Sequence, residues 1–582
     1  MNGMLKKSKL FALLIAIMMV FMVFSACSSK QPAAKSTPGV SASTAETALA
    51  TPQATPQPAV DPMAIYNPPI TITTVVRTIQ GAKFADGHSY DNTVWTPLYA
   101  KMGINIKILW QEDASQYENK LNMSVASGEI PDISYVYDPQ LNTMVKSDML
   151  MDMKGVLDQY MLPLTKKILY ANNGEYMKAG EFNGKQLSIP TDISQKADYV
   201  ESLWIRADWL KNVGLTAPKT VDDFMKICEA FTNGDPDKNG KKDTFALGVA
   251  GKDNLIKDWG GLRGIFLMYD CMPGVWFNNV LFYEKDSTGN VIWSGSKPQV
   301  KEALTTLQTM YQKGYIAKDF GTVDAGGKLV EDIVGEKCGM FFGSWWMPYW
   351  PLQDLKIKNP NSEWVVVTPP TYNDKPSKVL AYESASAWYA VSKECKYPEA
   401  IVKMLNLQIE KSFGASAEVI YAVQDSNDGG KSYNSAVIRV LSPKGIENDY
   451  HAVSNAIATK DTSKLNFGQQ TIYGDILKYI TDPKYMTGWS NHEIYGGAPG
   501  SVLKLTYDEI TDDRVQNNLY WAVLSDTMSS KLPTYKKMAE ETITKIVYGQ
   551  SPVNDWDKMM ADWNKLGGEQ ILSEVAAKVA AK

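Results

Sequence analysis

The sequence predicts an α/β protein whose folded body has two or more lobes. Strands alternate with helices early in the body: ITITTVVR, INIKILW and PDISYVY have strand composition, and helical segments around TVWTPLYAKMG and YENKLNMSVASG separate them. This alternation favours a parallel sheet covered by helices on both faces. The body, from about Tyr66 to Lys582, is also too long for a single hydrophobic core, which indicates at least two lobes.

The N-terminus has the features of an export signal. Three lysines precede an apolar run from Leu10 to Val23, which is short for a membrane span and typical of a signal peptide. Small residues then lead into Cys27, and this pattern resembles the bacterial lipoprotein signal, in which cleavage before the cysteine frees it to carry a lipid. We therefore expect residues 1–26 to be the signal peptide and Cys27 to be lipidated. An ordinary secretory signal cut nearby is the alternative.

Residues 27–64 are predicted to be a disordered tether. The stretch has almost no large apolar side chains, so it cannot bury enough surface to offset the entropy of ordering. A lipid, a flexible tether and a folded body together indicate a protein held at a membrane surface that works in the fluid outside it. No later segment is long and apolar enough to span a bilayer.

Composition and motifs argue against several function classes. A net charge of -5 over 582 residues does not favour nucleic acid as a partner. The three histidines lack metal-site spacing, and neither Gly-x-Ser-x-Gly nor His-Glu-x-x-His occurs.

The cysteines of the body are far apart in the sequence, at Cys228, Cys271, Cys338 and Cys395. Export would permit disulfides between them. Cys228 lies on the apolar face of a predicted helix, where we expect a small buried hydrophobic residue.

The stretch GDPDKNGKKD predicts a calcium loop. Oxygen-bearing side chains occur at alternate positions and again at the ninth position of the loop, at Asp235, Asp237, Asn239 and Asp243. Gly240 supplies the sharp turn, and Lys241 is expected to contribute its backbone carbonyl. The twelfth position is Ala246 instead of the bidentate Glu of a calcium sensor, so a structural Ca²⁺ is the favoured interpretation. A plain Asp/Asn/Gly turn is the alternative.

A helix is predicted to run directly into this loop. Thr220 is a plausible N-cap, and the apolar side chains that follow it fall on one helical face. These are Val221, Phe224, Met225, Cys228 and Phe231. A bound ion would therefore determine where the helix ends and where the next strand, around TFALGVAG, begins.

Longer segments carry a family resemblance. The run LWIRADWLKNVGLTAPKTVDDFMKICEAFTNGDPDKNGKKDTFALG resembles the extracellular solute-binding lipoproteins (family 1) of carbohydrate ABC importers, in the calcium-loop subgroup that includes alginate-oligosaccharide-binding proteins. The segments SGEIPDISYV, GEKCGMFFGSWW, AWYAVSKECKYPEAIVKMLN and ITKIVYGQSPVNDWDKMMADWNKLGGEQILSEV agree in the same order. The resemblance thus covers nearly the whole body.

The resemblance implies a periplasmic-binding-protein-like fold with two α/β lobes, a hinge and a ligand cleft between the lobes. It implies a first lobe of residues 65–192 and 377–430, and a second lobe of residues 193–376 and 431–582 that carries the calcium loop 235–244. It also implies calcium ligands at the loop positions named above. Thr244 stands where the family often has a Glu.

A sugar site needs flat aromatic side chains with polar groups at their edges. The densest aromatic segment is GSWWMPYW. The candidate ligand-binding residues are Trp345, Trp346, Tyr349, Trp350, Glu383, Trp388, Arg206, Trp276 and Trp489. The alternatives are that the tryptophans pack in the core, that Glu383 caps a local segment, and that Arg206 pairs with Asp208.

The resulting hypothesis is a substrate-binding subunit without catalytic residues. It would be a monomer anchored by lipid to the outer face of the cell membrane of a Gram-positive bacterium. There it would capture an oligosaccharide and deliver it to ABC permease subunits. An extracellular polysaccharide-active enzyme and a peptide-binding or sensor subunit are the alternatives, and turnover would favour the enzyme.

Overall fold

A computed structural model of the chain describes residues 60–581, with gaps at 79–83, 85–86, 194, 253–254, 257–258, 276–279, 374, 383–384, 419–434, 497–499 and 512. The statements below concern these residues. Among them, none of the helices combines the length and the apolar composition that a membrane crossing requires.

The N-terminal part of the body alternates between strands and helices, as the sequence predicts. Its elements are β1 (Ile70–Thr78), α1 (Thr96–Lys101), β2 (Ile104–Asp113), α2 (Ala114–Ser127), β3 (Ile133–Val136), α3 (Asp138–Lys146), α4 (Lys154–Tyr160), α5 (Pro163–Leu169), α6 (Glu175–Ala179), β4 (Glu181–Phe182), β5 (Lys185–Gln186) and β6 (Ile189–Ile193).

The central part begins with a short helix and builds a second sheet. Its elements are α7 (Lys196–Tyr199), β7 (Ser202–Arg206), α8 (Ala207–Val213), α9 (Val221–Asn233), β8 (Phe245–Leu247), α10 (Arg263–Met268), β9 (Tyr283–Lys285), β10 (Val291–Trp293), α11 (Gln299–Gln312), α12 (Lys328–Val334), β11 (Cys338–Gly343), α13 (Leu352–Lys358) and β12 (Trp364–Val367).

The C-terminal part is mostly helical. Its elements are β13 (Val379–Ala381), β14 (Ala385–Val391), α14 (Pro398–Phe413), α15 (Gly445–Thr459), α16 (Phe467–Thr481), α17 (Met486–Tyr495), α18 (Val502–Glu509), β15 (Val515–Asn517), α19 (Asp526–Val547), α20 (Asp555–Trp563) and α21 (Glu569–Ala580).

Two sheets organise two lobes. The first has the strand order β2-β1-β3-β14-β6, with β1 parallel to β2 and β3, and with β14 antiparallel to β3 and β6. The second has the order β12-β7-β11-β8, with β7 antiparallel to β11 and β12. The predicted α/β class is confirmed, and the antiparallel strand β14 comes from a distant part of the chain.

Separate cores support these lobes. One cluster of buried residues joins β1–β3 and β6 to β14 and α14. Two further clusters pack around the second sheet and its helices. The predicted lobe boundaries at residues 377 and 431 remain a prediction. Near them, Val379–Ala381 packs in a core of the second sheet, and Ala436, Ile438 and Val440 pack in the core of the first sheet.

Helix α9 shows how local sequence positions an element. The Thr220 hydroxyl accepts a hydrogen bond from the backbone N–H of Asp223 (3.2 Å), so the predicted N-cap is present. Phe224, Cys228 and Phe231 are buried, while Val221 and Met225 pack at the edge of the core. The four cysteines in the described residues are buried and free, in keeping with the role expected for Cys228.

The chain passes between the sheets in the first crossover (195–201, between β6 and β7) and in the second crossover (368–382, between β12 and β14), and again between Val440 and Ile446. The return segment (515–525, between α18 and α19) packs in a core of the second lobe and reaches the core of the first at Val523. Arg263 forms a buried ion pair with Glu201 (3.0 Å) and donates to the Tyr199 carbonyl (2.6 Å). The Tyr199 hydroxyl donates to the carbonyl of Tyr382. Strand β13 pairs with β15, so the second crossover and the return segment run side by side.

Candidate functional site

The aromatic segment, residues 345–350, follows the buried strand β11. Trp345, Trp346 and Trp350 are partly exposed, and Tyr349 is 37% exposed. The rings of Trp346 and Trp350 stack with centroids 6.4 Å apart, and the edge of Trp259 packs against both, at 6.1 and 5.1 Å. The segment therefore offers aromatic surface to solvent while its far side is supported by packing.

Hydrogen bonds fix the polar ends of these rings. Trp345 Nε1 donates to Asp198 Oδ1 (2.9 Å), and Asp198 belongs to α7 in the first crossover. The Tyr349 hydroxyl donates to Asn491 Oδ1 (2.7 Å) on α17. The amide of Asn491 donates in turn to Asp475 (3.2 Å), which also accepts the Tyr485 hydroxyl (2.8 Å). The orientation of the aromatic segment is thus set by the crossover and by α16 and α17.

Carboxylates and tyrosines lie near the same segment. Tyr507 on α18 stacks on Tyr450 with centroids 5.4 Å apart. Burial raises the pKa of Tyr507, and the nearby carboxylates of Glu447, Asp198 and Asp449 raise it further. Burial also raises the pKa of Asp449 to about 6, although a hydrogen bond from Gln469 (2.9 Å) opposes this shift. The carboxylates of Glu447 and Asp449 are of the type that accepts hydrogen bonds from hydroxyl-rich ligands.

Sequence reasoning missed this second group of residues. Asp198 occurs in an ordinary SQKADY stretch, and Glu447, Asp449 and Tyr450 lie in ENDY. The alternation of acidic and aromatic residues in that helix is the one local signal that could have drawn attention to it. Their proximity to the aromatic segment depends on contacts between residues far apart in the chain.

Trp388 lies in a different environment. Its side chain is fully buried on β14 of the first sheet, and its Nε1 donates to Asp138 Oδ1 (2.7 Å). Asp138 Oδ2 accepts the backbone N–H of Leu524 in the return segment (3.0 Å). Burial raises the pKa of Asp138 to about 6, and these two hydrogen bonds oppose the shift. Contact between Trp388 and a ligand stays a prediction.

Arg206 is held by two carboxylates in the second lobe. Its Nε donates to Asp208 (2.8 Å), and a terminal nitrogen donates to Asp208 (2.6 Å) and Glu336 (3.0 Å). Burial opposes the charge, but the two carboxylates hold the pKa of Arg206 above its usual range. The guanidinium also lies over the Trp209 ring, 4.8 Å from its centroid. Contact between Arg206 and a ligand remains a prediction.

The other candidates divide by location. Trp489 is 8% exposed and packs on α17 with the core of the second lobe. Trp276, Glu383 and Cys27 lie outside the described residues. The structure therefore groups Trp345, Trp346, Tyr349 and Trp350 with Trp489 in one region of the second lobe, and it places Trp388 in the first.

The predicted calcium loop forms a tight turn at the end of α9. Asp235 has φ 49° and Gly240 has φ 78°, the left-handed backbone that glycine favours. The Asn239 amide nitrogen donates to Asp237 Oδ2 (2.6 Å) and Asp243 Oδ1 (3.2 Å), so both carboxylates point at one position. This oxygen-rich donor set fits a hard cation. Lys337 Nζ donates to the other oxygen of that carboxylate, Asp243 Oδ2 (2.6 Å).

Two further observations concern the metal ligands that this loop can offer. Within the described ranges, no group of three or more acidic, histidine or cysteine side chains is close enough to form a metal site. The hydroxyl of Thr244 donates to the Phe231 carbonyl (2.8 Å), at the end of α9. Thr244 therefore ties the loop to the helix in place of an additional carboxylate.

The family model for bacterial extracellular solute-binding proteins matches residues 82–411, more than half of the chain. The polygalacturonan/rhamnogalacturonan-binding protein YtcQ of Bacillus subtilis is 24% identical over 475 residues, covering 81% of this chain and 84% of that protein. Lipoprotein LipO of Bacillus subtilis is 31% identical over 241 residues, covering 41% and 44%. The fructooligosaccharide ABC transporter substrate-binding protein FusA of Streptococcus pneumoniae is 29% identical over 248 residues, covering 41% and 44%.

Solved structures share the fold. An extracellular solute-binding protein from Bifidobacterium longum subsp. infantis aligns with a TM-score of 0.61 at 15% identity, covering 89% of this chain and 99% of that one. The alginate-binding protein AlgQ2 without calcium ion aligns at 0.57 and 13% identity, covering 90% and 100%. A Streptococcus pneumoniae FusA EF-hand mutant in complex with fructo-nystose aligns at 0.59 and 16% identity, covering 88% and 99%. These alignments confirm the two-lobe architecture.

Proposed function

Because this chain belongs to the family of bacterial extracellular solute-binding proteins, we propose that it is the substrate-binding subunit of an ABC importer and that it captures an oligosaccharide between its lobes. The observation that carries the proposal is the partly exposed aromatic segment 345–350, anchored by Asp198 at the first crossover. Rings of this kind stack on the apolar faces of sugars, and the neighbouring carboxylates of Glu447 and Asp449 accept sugar hydroxyls. Members of the family are solute-binding proteins and not enzymes.

Capture proceeds by closure of the lobes around the ligand. A sugar that contacts both lobes favours the closed arrangement by its differential affinity for it, with no covalent step. The closed protein then docks on membrane permease subunits, whose ATPase partner supplies the energy for transport. The names of YtcQ and FusA, two carbohydrate-binding relatives, support an oligosaccharide as the ligand.

The test of this function is thermal unfolding of the chain without its N-terminal 59 residues, in the presence of kestose, xylotriose, trigalacturonate or alginate trisaccharide. A ligand at one hundred times its dissociation constant adds about 2.7 kcal/mol to the free energy of unfolding. A shift in Tm with one of these glycans and no product by chromatography is the expected result. No shift with a broad glycan panel would contradict the proposal, and cleavage of the glycan would favour an enzyme.

We also propose that the loop 235–244 binds a structural Ca²⁺ through Asp235, Asp237, Asn239, Asp243 and the Lys241 carbonyl. The convergence of Asp237 and Asp243 on one position supports this, as does the similarity to AlgQ2, solved without calcium ion, and to FusA, solved as an EF-hand mutant. When bound, the ion would neutralise the facing carboxylates and fix the end of α9. Removal of Ca²⁺ by EGTA should lower Tm, and Asp237→Asn should abolish that dependence. Equal Tm values with and without Ca²⁺ would contradict the assignment.

The location at the membrane is a further proposal. Cleavage before Cys27 and lipidation of that residue would hold the protein on the extracellular face, and similarity to Lipoprotein LipO supports this. Metabolic labelling with palmitate in a Gram-positive host should label the wild-type protein and not Cys27→Ser. The monomeric state should appear as a single mass of the body in light scattering.

A further inference from the structure

Asp198 makes two hydrogen bonds that join the aromatic segment to the connection between lobes. Its Oδ1 accepts the indole N–H of Trp345 (2.9 Å), and its Oδ2 accepts the backbone N–H of Gln195 (2.9 Å). Gln195 and Asp198 both belong to the first crossover. One carboxylate therefore connects a side chain on the candidate ligand surface with the backbone that leads from the first sheet to the second.

The crossover is attached to a third element near the site. Gln195 is buried, and its side-chain Oε1 accepts the backbone N–H of Ile446 (2.7 Å) at the start of α15. Helix α15 carries Asp449 and Tyr450, which lie with Tyr507 beside the aromatic segment. The crossover is thus hydrogen-bonded both to the Trp345 ring and to the first turn of α15.

The Trp345 indole needs such a restraint. A partly exposed tryptophan can adopt several combinations of χ1 and χ2, and only some of them present the ring face to a ligand. A hydrogen bond to an ionised acceptor selects one orientation. Since the acceptor lies on the crossover, that orientation is linked to the conformation of the hinge. By linkage, a ligand that requires this ring orientation also stabilises the matching hinge conformation.

We propose that Asp198 is a positioning residue that couples the contact of a glycan with the Trp345 ring to closure of the hinge. The inference rests on the proposed function, because it assumes that a glycan contacts Trp345. It assigns Asp198 an indirect role: the carboxylate orients the ring and holds the crossover, and it does not itself contact the ligand.

The test is a double-mutant cycle on the binding of whichever of kestose, xylotriose, trigalacturonate or alginate trisaccharide raises Tm. Trp345→Phe retains a ring and removes the N–H, while Asp198→Ala removes the acceptor. Each change should weaken binding by about tenfold, because each removes the charge-assisted hydrogen bond that orients the ring. The double variant should be no weaker than either single variant by more than about threefold. Asp198→Asn should fall between wild type and Asp198→Ala, because one amide oxygen can serve only one of the two donors.

A second readout separates positioning from a purely structural role. Ligand at saturation should contract wild type in small-angle X-ray scattering, and the contraction should be smaller for Asp198→Ala at the same fractional saturation. Trp556→Phe is the matched control: it removes an indole N–H that donates to the Gly295 carbonyl (3.3 Å) in the same lobe, on α20 and outside the crossovers. Its effect on binding should be additive with that of Asp198→Ala.

The outcomes are distinct. Coupling within the cycle and reduced contraction support the inference. Additive losses of about a hundredfold, or unchanged affinity in Asp198→Ala, overturn the inference and leave the proposed function intact. A wild-type protein that binds no glycan overturns the proposed function and this inference with it. Should Asp198→Ala fail to fold, Asp198→Asn with Trp345→Phe forms the same cycle.

Discussion

The two lobes contain the same chemical pair in different surroundings. In the first, Trp388 donates to Asp138 (2.7 Å) and both residues are buried. In the second, Trp345 donates to Asp198 (2.9 Å) and both are partly exposed. Each aspartate uses its other oxygen to accept a backbone N–H from a segment between the lobes, Leu524 in one case and Gln195 in the other.

The difference in burial separates stability from binding. A buried hydrogen-bonded carboxylate cannot be replaced by water when it is removed, so its donors are left unsatisfied. A partly exposed pair can recover hydrogen bonds from solvent, and its ring remains available to a ligand. We therefore expect changes at Asp138 to act on folding and changes at Trp345 to act on glycan binding.

Asp138→Ala is the change with the largest expected effect. It leaves the Trp388 indole and the Leu524 N–H without an acceptor in the core, which should lower the free energy of unfolding by about 3 kcal/mol. The matched change Asp198→Ala should cost about 1 kcal/mol or less. Urea unfolding at pH 7.5, followed by circular dichroism, measures both. Equal losses at the two sites would show that burial does not distinguish the two aspartates.

Burial of Asp138 should also make the free energy of unfolding depend on pH. The pKa of Asp138 is about 6 in the folded protein and about 3.9 in an unfolded chain. Between these values the folded state binds more protons, so this contribution to the free energy of unfolding falls as pH rises from 4 to 6, by at most about 3 kcal/mol. It is fully present below pH 4 and is lost above pH 6.

Asp138→Asn tests this dependence, since the amide does not titrate. Urea midpoints of wild type and the variant, measured from pH 4 to 7, should show a steeper decrease with pH for wild type. Asp449 has a raised pKa of about 6 as well, so both proteins should retain some decrease. Parallel curves would show that Asp138 does not titrate in this range.

Removal of the exposed ring should affect binding more than folding. Trp345→Ala is expected to weaken glycan binding by about 30-fold, or about 2 kcal/mol, because it deletes a stacking surface. Trp388→Phe is expected to lower the free energy of unfolding by a similar amount. Isothermal titration calorimetry measures the glycan affinity of both variants, and urea unfolding measures their free energies of unfolding. The interpretation by burial fails if Trp388→Phe loses as much affinity as Trp345→Ala while still folded.

The smallest effect is expected at a surface contact between the same regions. Lys146 on α3 pairs with Asp526 at the start of α19, and their side chains are 58% and 65% exposed. Exposed pairs contribute little, so Lys146→Ala should change the free energy of unfolding by less than about 0.5 kcal/mol. A loss comparable to that of Asp138→Ala in the same urea assay would mean that surface contacts, and not the buried carboxylate, hold α3 to the return segment.

Local patterns predicted those parts of the fold that depend on neighbouring residues. Alternating strands and helices gave the order from β1 to β3, and Thr220 marked the start of α9. The aromatic segment was recognised because four large rings occur within six residues. Strand β14 lies antiparallel between β3 and β6, and this place in the sheet depends on pairing with residues far away in the chain.

Short-range patterns were therefore enough to predict the α/β class, the N-cap of α9, the loop at 235–244 and the position of the aromatic segment, because each follows from spacing over a few residues. Tertiary structure decided which tryptophans are buried and which carboxylates they meet. Trp345 and Asp198 are 147 positions apart, and Trp388 and Asp138 are 250 apart. The physical reason is that burial and hydrogen-bond partnership belong to the packed chain, where segments remote in sequence exclude water from one another.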